Sequence, residues 1–289
     1  MRVGAKLPNS GPAPTEIGIP HMAAELERCG FGSLWVSDHI VMPATVTSRY
    51  PYARDGAATW ATDDPWYDAI VALSMAAAVT EMVELGTAVL VLPQRNPVLL
   101  AKQIASLDRL AGGRVVLGVG AGWLAEEFAA LATPFESRGG RTDEWIELLR
   151  SCWTGRPAAF RGIHYDLPAN IVCEPTPARS VPILVGGTST AALRRANERG
   201  DGWLGIQSAD ALDVAALAAA VTRLGDPRRR AVLRIVGSAG HGALVADNMA
   251  GLASAGITDV IVDVDWTADV HAQAALLLDS ASALGDRPM

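Results

Sequence analysis

Apolar β-prone runs and stretches of helical period alternate along all 289 residues of this chain. Residues 3–7 read as a first strand, 21–29 as a helix stopped by Gly30, and 33–38 as a second strand. A stretch without period, carrying Gly, Pro, Arg and aromatic residues, covers 43–62. Asp63 or Asp64 before Pro65 then looks like an N-cap followed by proline in the first turn, opening a helix to about Val79. The third strand is read at 84–92. Asn96-Pro97 repeats the cap-plus-proline signal and starts a helix to Leu110, closed by Gly112-Gly113. A fourth strand at 114–119 runs into Gly118-Val119-Gly120-Ala121-Gly122, then a helical segment and a helix over 141–153. Strands at 182–185, 203–206, 232–236 and 259–264 complete the pattern, each followed by a helix.

Eight strand–helix units result. Such alternation demands parallel pairing with right-handed crossovers, and eight is the number that closes a barrel. An open doubly wound sheet uses fewer strands and leaves edges. The fold class predicted is therefore α/β, a (β/α)8 TIM barrel forming one domain over 1–289, with insertions at 40–62, 123–139 and 155–181.

Composition narrows the function classes. Half the chain is hydrophobic, enough for a sizeable core, and the net charge of −7 argues against nucleic-acid and anionic-membrane surfaces. Cys29, Cys152 and Cys173 are odd in number and widely spaced, which suits reduced thiols in a cytoplasmic protein. No export segment opens the chain and no apolar run is long enough to span a bilayer. Of 24 basic residues only Lys6 and Lys102 are lysines, which together with the many alanines reads as codon bias in a GC-rich genome.

A barrel turns sequence order into a site, because the loops that follow its strands share one rim. The run Leu34-Trp35-Val36-Ser37-Asp38-His39 ends a strand in two titratable side chains. Alone, that ending is equally a solvated strand end; its place at a strand's carboxyl end makes Asp38-His39 the anchor of a candidate active site. The third strand delivers Thr87, Ala88, Val89 and then Arg95, and the fourth Gly120-Ala121-Gly122-Trp123 with Glu126 and Glu127 behind. Gly186-Gly187-Thr188-Ser189 reads equally as a phosphate cradle at a helix N-terminus or as a tight turn with a cap. His164 lies in the third insertion, within reach of a substrate or in a structural role. No His, Asp or Glu set has metal-ligand spacing, and glycine alternation at 118–122 lacks the third glycine of a dinucleotide fingerprint.

Several of these motifs, taken in order, carry a family resemblance. They are Ser37-Asp38-His39, the run Leu85-Gly86-Thr87-Ala88-Val89-Leu90, Asn96-Pro97, the stretch from Asp108 through Gly113-Arg114 to Trp123, the segment Phe160 to Tyr165, Pro182 to Gly187, and Gly200-Asp201-Gly202-Trp203. Together they resemble the bacterial luciferase-like superfamily, and within it the actinobacterial branch of deazaflavin (coenzyme F420)-dependent oxidoreductases. The resemblance implies a rim that binds a flavin-like ring and a non-proline cis peptide at Ala88-Val89 behind that ring. Asp38 and His39 match the family's cofactor and active-site pair, and Gly186, Gly187 and Thr188 its phosphate turn. Thr87, Gly120, Ala121 and Gly122 are the further expected cofactor contacts. Arg95, Trp123 and His164 are expected to meet substrate. A homodimer is expected as well.

One departure matters. Sugar-phosphate dehydrogenases of the superfamily carry Gly-x-Gly-Glu where this chain has Gly120-Ala121-Gly122-Trp123, so an indole replaces their proton-donating carboxylate. That leaves His39, or Glu126 one helical turn on, as the candidate acid. Histidine suits the role because its unperturbed pKa lies near neutrality. The leading expectation is hydride transfer between the deazaflavin C5 and a small organic substrate. An FMN-dependent monooxygenase served by a separate reductase is the alternative, and a cofactor-binding protein without turnover is a third.

Overall fold

The computed structural model describes residues 1–53, 55–58 and 60–284. Eight parallel strands are laid out in chain order: β1 (Arg2–Lys6), β2 (Ser33–Val36), β3 (Glu84–Thr87), β4 (Val115–Gly120), β5 (Ile183–Gly186), β6 (Gly202–Ser208), β7 (Arg230–Val236) and β8 (Asp259–Val262). Each pairs with the next, and β1 pairs with β8, so the sheet closes into the barrel that the alternation predicts. Around it lie α1 (Ile19–Arg28), α2 (Ala69–Ala77), α3 (Pro97–Leu110), α4 (Ala125–Ala130), α5 (Arg138–Cys152), α6 (Thr190–Glu198), α7 (Val214–Thr222), α8 (Gly242–Ser254) and α9 (Val270–Ser282). Among the described residues no helix is long and apolar enough to cross a membrane.

Strand alternation sorts the barrel interior into three layers. At the base, Arg230 reaches Asp259 at 2.5 Å and Glu84 at 2.8 Å. The middle layer is apolar: Trp35, Val116, Leu184, Leu204, Val232 and Ile261. Two positions further along β1, β7 and β8, the interior side chains are Lys6, Arg234 and Asp263, and these floor the rim where the strands end. The opposite faces of the strands, with Val3, Ala5, Leu34, Val36, Leu85 and Leu117, join the helices in the larger core.

Local signals were reliable where their partners were local. Asn96 caps α3 as expected, its side chain accepting the amides of Val98 and Leu99 at 3.0 Å, with Pro97 in the first turn. The helix expected from Asp63-Asp64-Pro65 starts later, at Ala69. Its cap is Asp68, which accepts from Ile70 and Val71. Asn9 explains the delay, because it holds both the amide and the carbonyl of Tyr67 and keeps that backbone out of a helix.

The third strand also differs from the continuous run expected. It breaks at a cis peptide between Ala88 and Val89, then resumes as Leu90–Val91 against Val119 and Gly120 of β4. The excursion at 155–181 contains a small antiparallel hairpin, Phe160–Arg161 with Asp166–Leu167.

Candidate active site

His39 stands just beyond the end of β2 and is 7% exposed. Its Nδ1 lies 3.1 Å from a carboxylate oxygen of Glu127, on the first turn of α4. The other Glu127 oxygen accepts the backbone amides of Ile40 at 2.6 Å and Val41 at 3.3 Å. Burial pushes the Glu127 carboxyl up, but its hydrogen bonds, led by the one to His39, together hold the group below its ordinary range. An ionised carboxylate only accepts, so Nδ1 carries the hydrogen and Nε2 is the nitrogen left for chemistry.

An aromatic pocket surrounds this imidazole. Trp66 packs edge-on at 4.7 Å between ring centroids, Trp60 at 5.6 Å and Trp123 at 6.3 Å. Tyr50 lies 5.1 Å from both Trp60 and Trp123, and Tyr52 continues the cluster. The indole N–H groups of Trp60 and Trp66 are buried and unpartnered among the described residues. Buried donors without acceptors are costly, so these two are free to take up an acceptor oxygen.

Most of this wall comes from the first insertion, which sequence reading left without a role. The signal was compositional: three of the four tyrosines, Tyr50, Tyr52 and Tyr67, and two of the eight tryptophans fall between 50 and 67.

The structure places Glu126, the second candidate acid, differently from the sequence expectation. Glu126 does not face His39. Its carboxylate accepts from the amides of Thr47 at 2.6 Å and Ser48 at 2.9 Å, and from both hydroxyls. Burial pushes its carboxyl up, but those bonds together outweigh it and bring the pKa down to about 2, and the side chain is a tether for the insertion. Glu127, one residue on, faces the histidine. Adjacent residues on a helix point about 100° apart, so a one-residue error in register exchanges a tether for an active-site partner.

Three further expected contacts are occupied within the protein. Asp38 is fully buried; Arg95 grips it at 2.6 and 2.9 Å, and the amide of Val91 donates at 2.9 Å. Burial raises its carboxyl above the usual range, opposed by the Arg95 guanidinium. Arg95 also reaches Asp68 at 3.0 Å, so the pair bolts β2, the resumed third strand and the start of α2 together. Thr87 spends its hydroxyl on the carbonyl of Gly118 at 2.6 Å. Asp38, Arg95 and Thr87 thus support the rim from behind.

The remaining expected residues, His164 apart, do meet at the rim. Val89 sits between Gly120 and Gly186, where a Cβ on either glycine would approach its methyls to 2.7 Å. Trimmed flanks on both sides leave a flat ledge at the Ala88-Val89 cis peptide, the peptide that the resemblance implied. Ala121 and Gly122 follow, Gly122 at φ +87°.

Next to the ledge, Gly187 turns with φ +112°, and its carbonyl accepts the indole of Trp203 at 2.7 Å. Ser189 caps α6, which leaves the Thr188 side chain exposed beside that helix N-terminus. Glycine turn, hydroxyl and helix N-terminus form a cradle of the kind that holds an anionic tail. Ledge and cradle together fit a flavin-like cofactor. His164 is held further out, its amide on Glu144 at 3.0 Å and its ring against Gly140. On the far surface Glu25, Cys29 and His271 meet, but both imidazole nitrogens already face these partners and the three hold one another.

Comparison with known proteins agrees with this geometry. The family model described as luciferase-like monooxygenase matches residues 4–257. An uncharacterized protein of Mycobacterium tuberculosis is 38% identical over 242 residues, 83% of each chain. An F420-dependent glucose-6-phosphate dehydrogenase of Amycolatopsis mediterranei is 32% identical over 187 residues, 63% of this chain and 51% of that one. Among solved structures, an F420-dependent secondary alcohol dehydrogenase in complex with an F420-acetone adduct superposes with a TM-score of 0.74 over 98% of both chains, at 17% identity. The chain therefore belongs to the luciferase-like monooxygenase family.

Proposed function

We propose that the protein is an F420-dependent oxidoreductase that moves a hydride between the deazaflavin C5 and a small organic substrate. The observation that carries this reading is the His39–Glu127 pair, buried in an aromatic pocket on the same rim as the Val89 ledge. A deazaflavin supplies hydride chemistry and lacks the nitrogen that makes flavins reactive toward oxygen, so the protein must supply orientation and a proton.

The residues divide that work. Val89, with Gly120 and Gly186, supports the ring, while Gly187 and Thr188 hold the anionic tail. Glu127 keeps the proton on Nδ1 of His39, which leaves Nε2 to accept a proton from an alcohol or, once protonated, to return one to a ketone. The indole donors of Trp60 and Trp66 hydrogen-bond the substrate oxygen, and the surrounding rings exclude water. The identity to an F420-dependent dehydrogenase supports the cofactor assignment. A working acid–base pair also speaks against cofactor binding without turnover.

FMN is the second reading, favoured by the family's own description as monooxygenases. Titration of the purified protein with both cofactors separates them, with F420 expected to bind tighter; a lower dissociation constant for FMN transfers the proposal to a reductase-fed monooxygenase. With the favoured cofactor, His39→Ala is expected to lower turnover by about 10²–10⁴-fold with little change in cofactor affinity. Thr188→Ala should do the reverse, weakening the anionic tail by about 1–3 kcal/mol. Near-native turnover in His39→Ala would remove the proton assignment.

A further inference from the structure

Three charged side chains floor the rim, and they do not balance. Arg234 projects inward from β7 and pairs with Asp263, which also accepts the amide of Gly237 at 2.8 Å. Arg234 further donates to the carbonyl of Ile235 at 2.7 Å, so its charge and most of its hydrogens are satisfied. Lys6 projects inward from the end of β1 and has no such match. Its ammonium donates to the Asn9 side chain at 2.8 Å and the Leu7 carbonyl at 3.2 Å, both neutral, and among the described residues no carboxylate pairs with it. Asn9 is fully buried and bonded to Ser37 and Tyr67, so it holds Lys6 beside the β2 end that carries His39.

We propose that Lys6, backed by Arg234, forms an anion subsite in the barrel mouth that receives the carboxylate of a flat aromatic substrate. The proposal rests on the oxidoreductase reading only in naming the carboxylate's carrier a substrate. A half-buried cation with no carboxylate in contact gains most from an anion brought to it, since both lose their water to the same contact.

The occupant's shape follows from the walls. Asn9, which holds Lys6, also holds Ser37 beside His39, and Tyr50, Tyr52, Trp60 and Trp123 pack together in the pocket of that imidazole. Aromatic walls packed edge-on against one another favour a planar, apolar body over a hydroxylated sugar. The groups that face Lys6 are Arg234 from β7, Asp263 beyond β8 and Asn9; Asp38, on the β2 side, is turned away to Arg95. Burial and then the Arg234 charge depress the Lys6 ammonium to about 7, so an arriving carboxylate should restore its proton.

The test uses cofactor-free protein, with benzoate and its neutral isostere benzamide as probes read by tryptophan fluorescence. Benzoate is expected to bind at least about tenfold tighter near pH 6.5, equivalent to about 1.4 kcal/mol. That preference should fade as pH rises well above 7 and Lys6 loses its charge. Lys6→Gln should bring the two probes within about twofold, whereas Lys6→Arg should keep the preference and lose its pH dependence. Lys6→Arg decides the matter alone if Lys6→Gln fails to fold.

Equal affinities in the wild type, or a preference that survives Lys6→Gln, would overturn the subsite. Displacement of benzoate by an equal concentration of inorganic phosphate would overturn the aromatic carboxylate as its ligand. Because no cofactor is present, these outcomes are independent of whether F420 or FMN wins the titration.

Discussion

At the scale of single residues, the buried ion pairs separate structural from chemical roles. Arg95→Ala would strand the Asp38 carboxylate with its side chain fully buried, a change expected to cost about 3–5 kcal/mol in denaturant melts. If Arg95 served substrate alone, stability would hold and only KM would rise. Lys6 yields a prediction of opposite sign. Its folded pKa, about 7, lies below the ordinary 10.5, so between those values the unfolded chain binds a proton that the folded chain lacks. Stability from this group therefore increases with pH across that window. Lys6→Met should raise Tm near neutral pH, with the two proteins converging toward about pH 10. A variant no more stable than wild type at pH 7 would contradict this. The expected cost of such stabilisation is function, as is common for strained or charged sites.

At the scale of elements, α4 is the shortest of the α-helices among the described residues and does two jobs. Glu127→Gln replaces a group that only accepts by an amide that can also donate, so the His39 tautomer is no longer fixed, and turnover is expected to fall roughly 10²-fold or more, by analogy with other carboxylate–imidazole pairs. Glu126→Gln loosens the tether to Thr47 and Ser48, so KM should rise with kcat nearly intact. Steady-state kinetics of the two neighbours distinguishes them; matching losses would dissolve the division of labour.

What sequence reading could and could not find here has a physical cause. Asn96-Pro97 was legible because a cap and its amides lie within three residues. The false cap at Asp63 was not, because Asn9 overrides it from 58 residues before Tyr67. The His39 rim position followed from the strand–helix repeat, which puts the carboxyl ends of the strands on one rim. Its partner did not, because a six-residue helix is too short for periodicity to fix which glutamate points inward. The aromatic wall stayed hidden because a loop has no period at all.

At the scale of the whole molecule, the barrel closes through an unequal set of seams. β6 and β7 pair over seven residues, whereas β3 meets β4 at only Leu85 and Gly86 before the cis peptide interrupts it. Gly118 lies in that seam, where a Cβ would stand 2.0 Å from the Thr87 carbonyl oxygen. Gly118→Ala should destabilise the fold by about 1–3 kcal/mol and disturb the ledge as well, detectable as a joint loss of Tm and cofactor affinity. A loss of affinity at unchanged Tm would place the strain in the rim alone.

The two carboxylates of α4 have a consequence for modularity. Because Glu126 grips 47–48 and Glu127 grips 40–41 together with His39, the first insertion is not a free-standing cassette. Chimaeras that import this segment from a relative to change selectivity would arrive without their fastenings unless Ala125–Ala130 travels with them. The aromatic wall and the His39–Glu127 pair are thus inherited as one block, and recombination breakpoints that keep the fold of this rim should fall outside both segments.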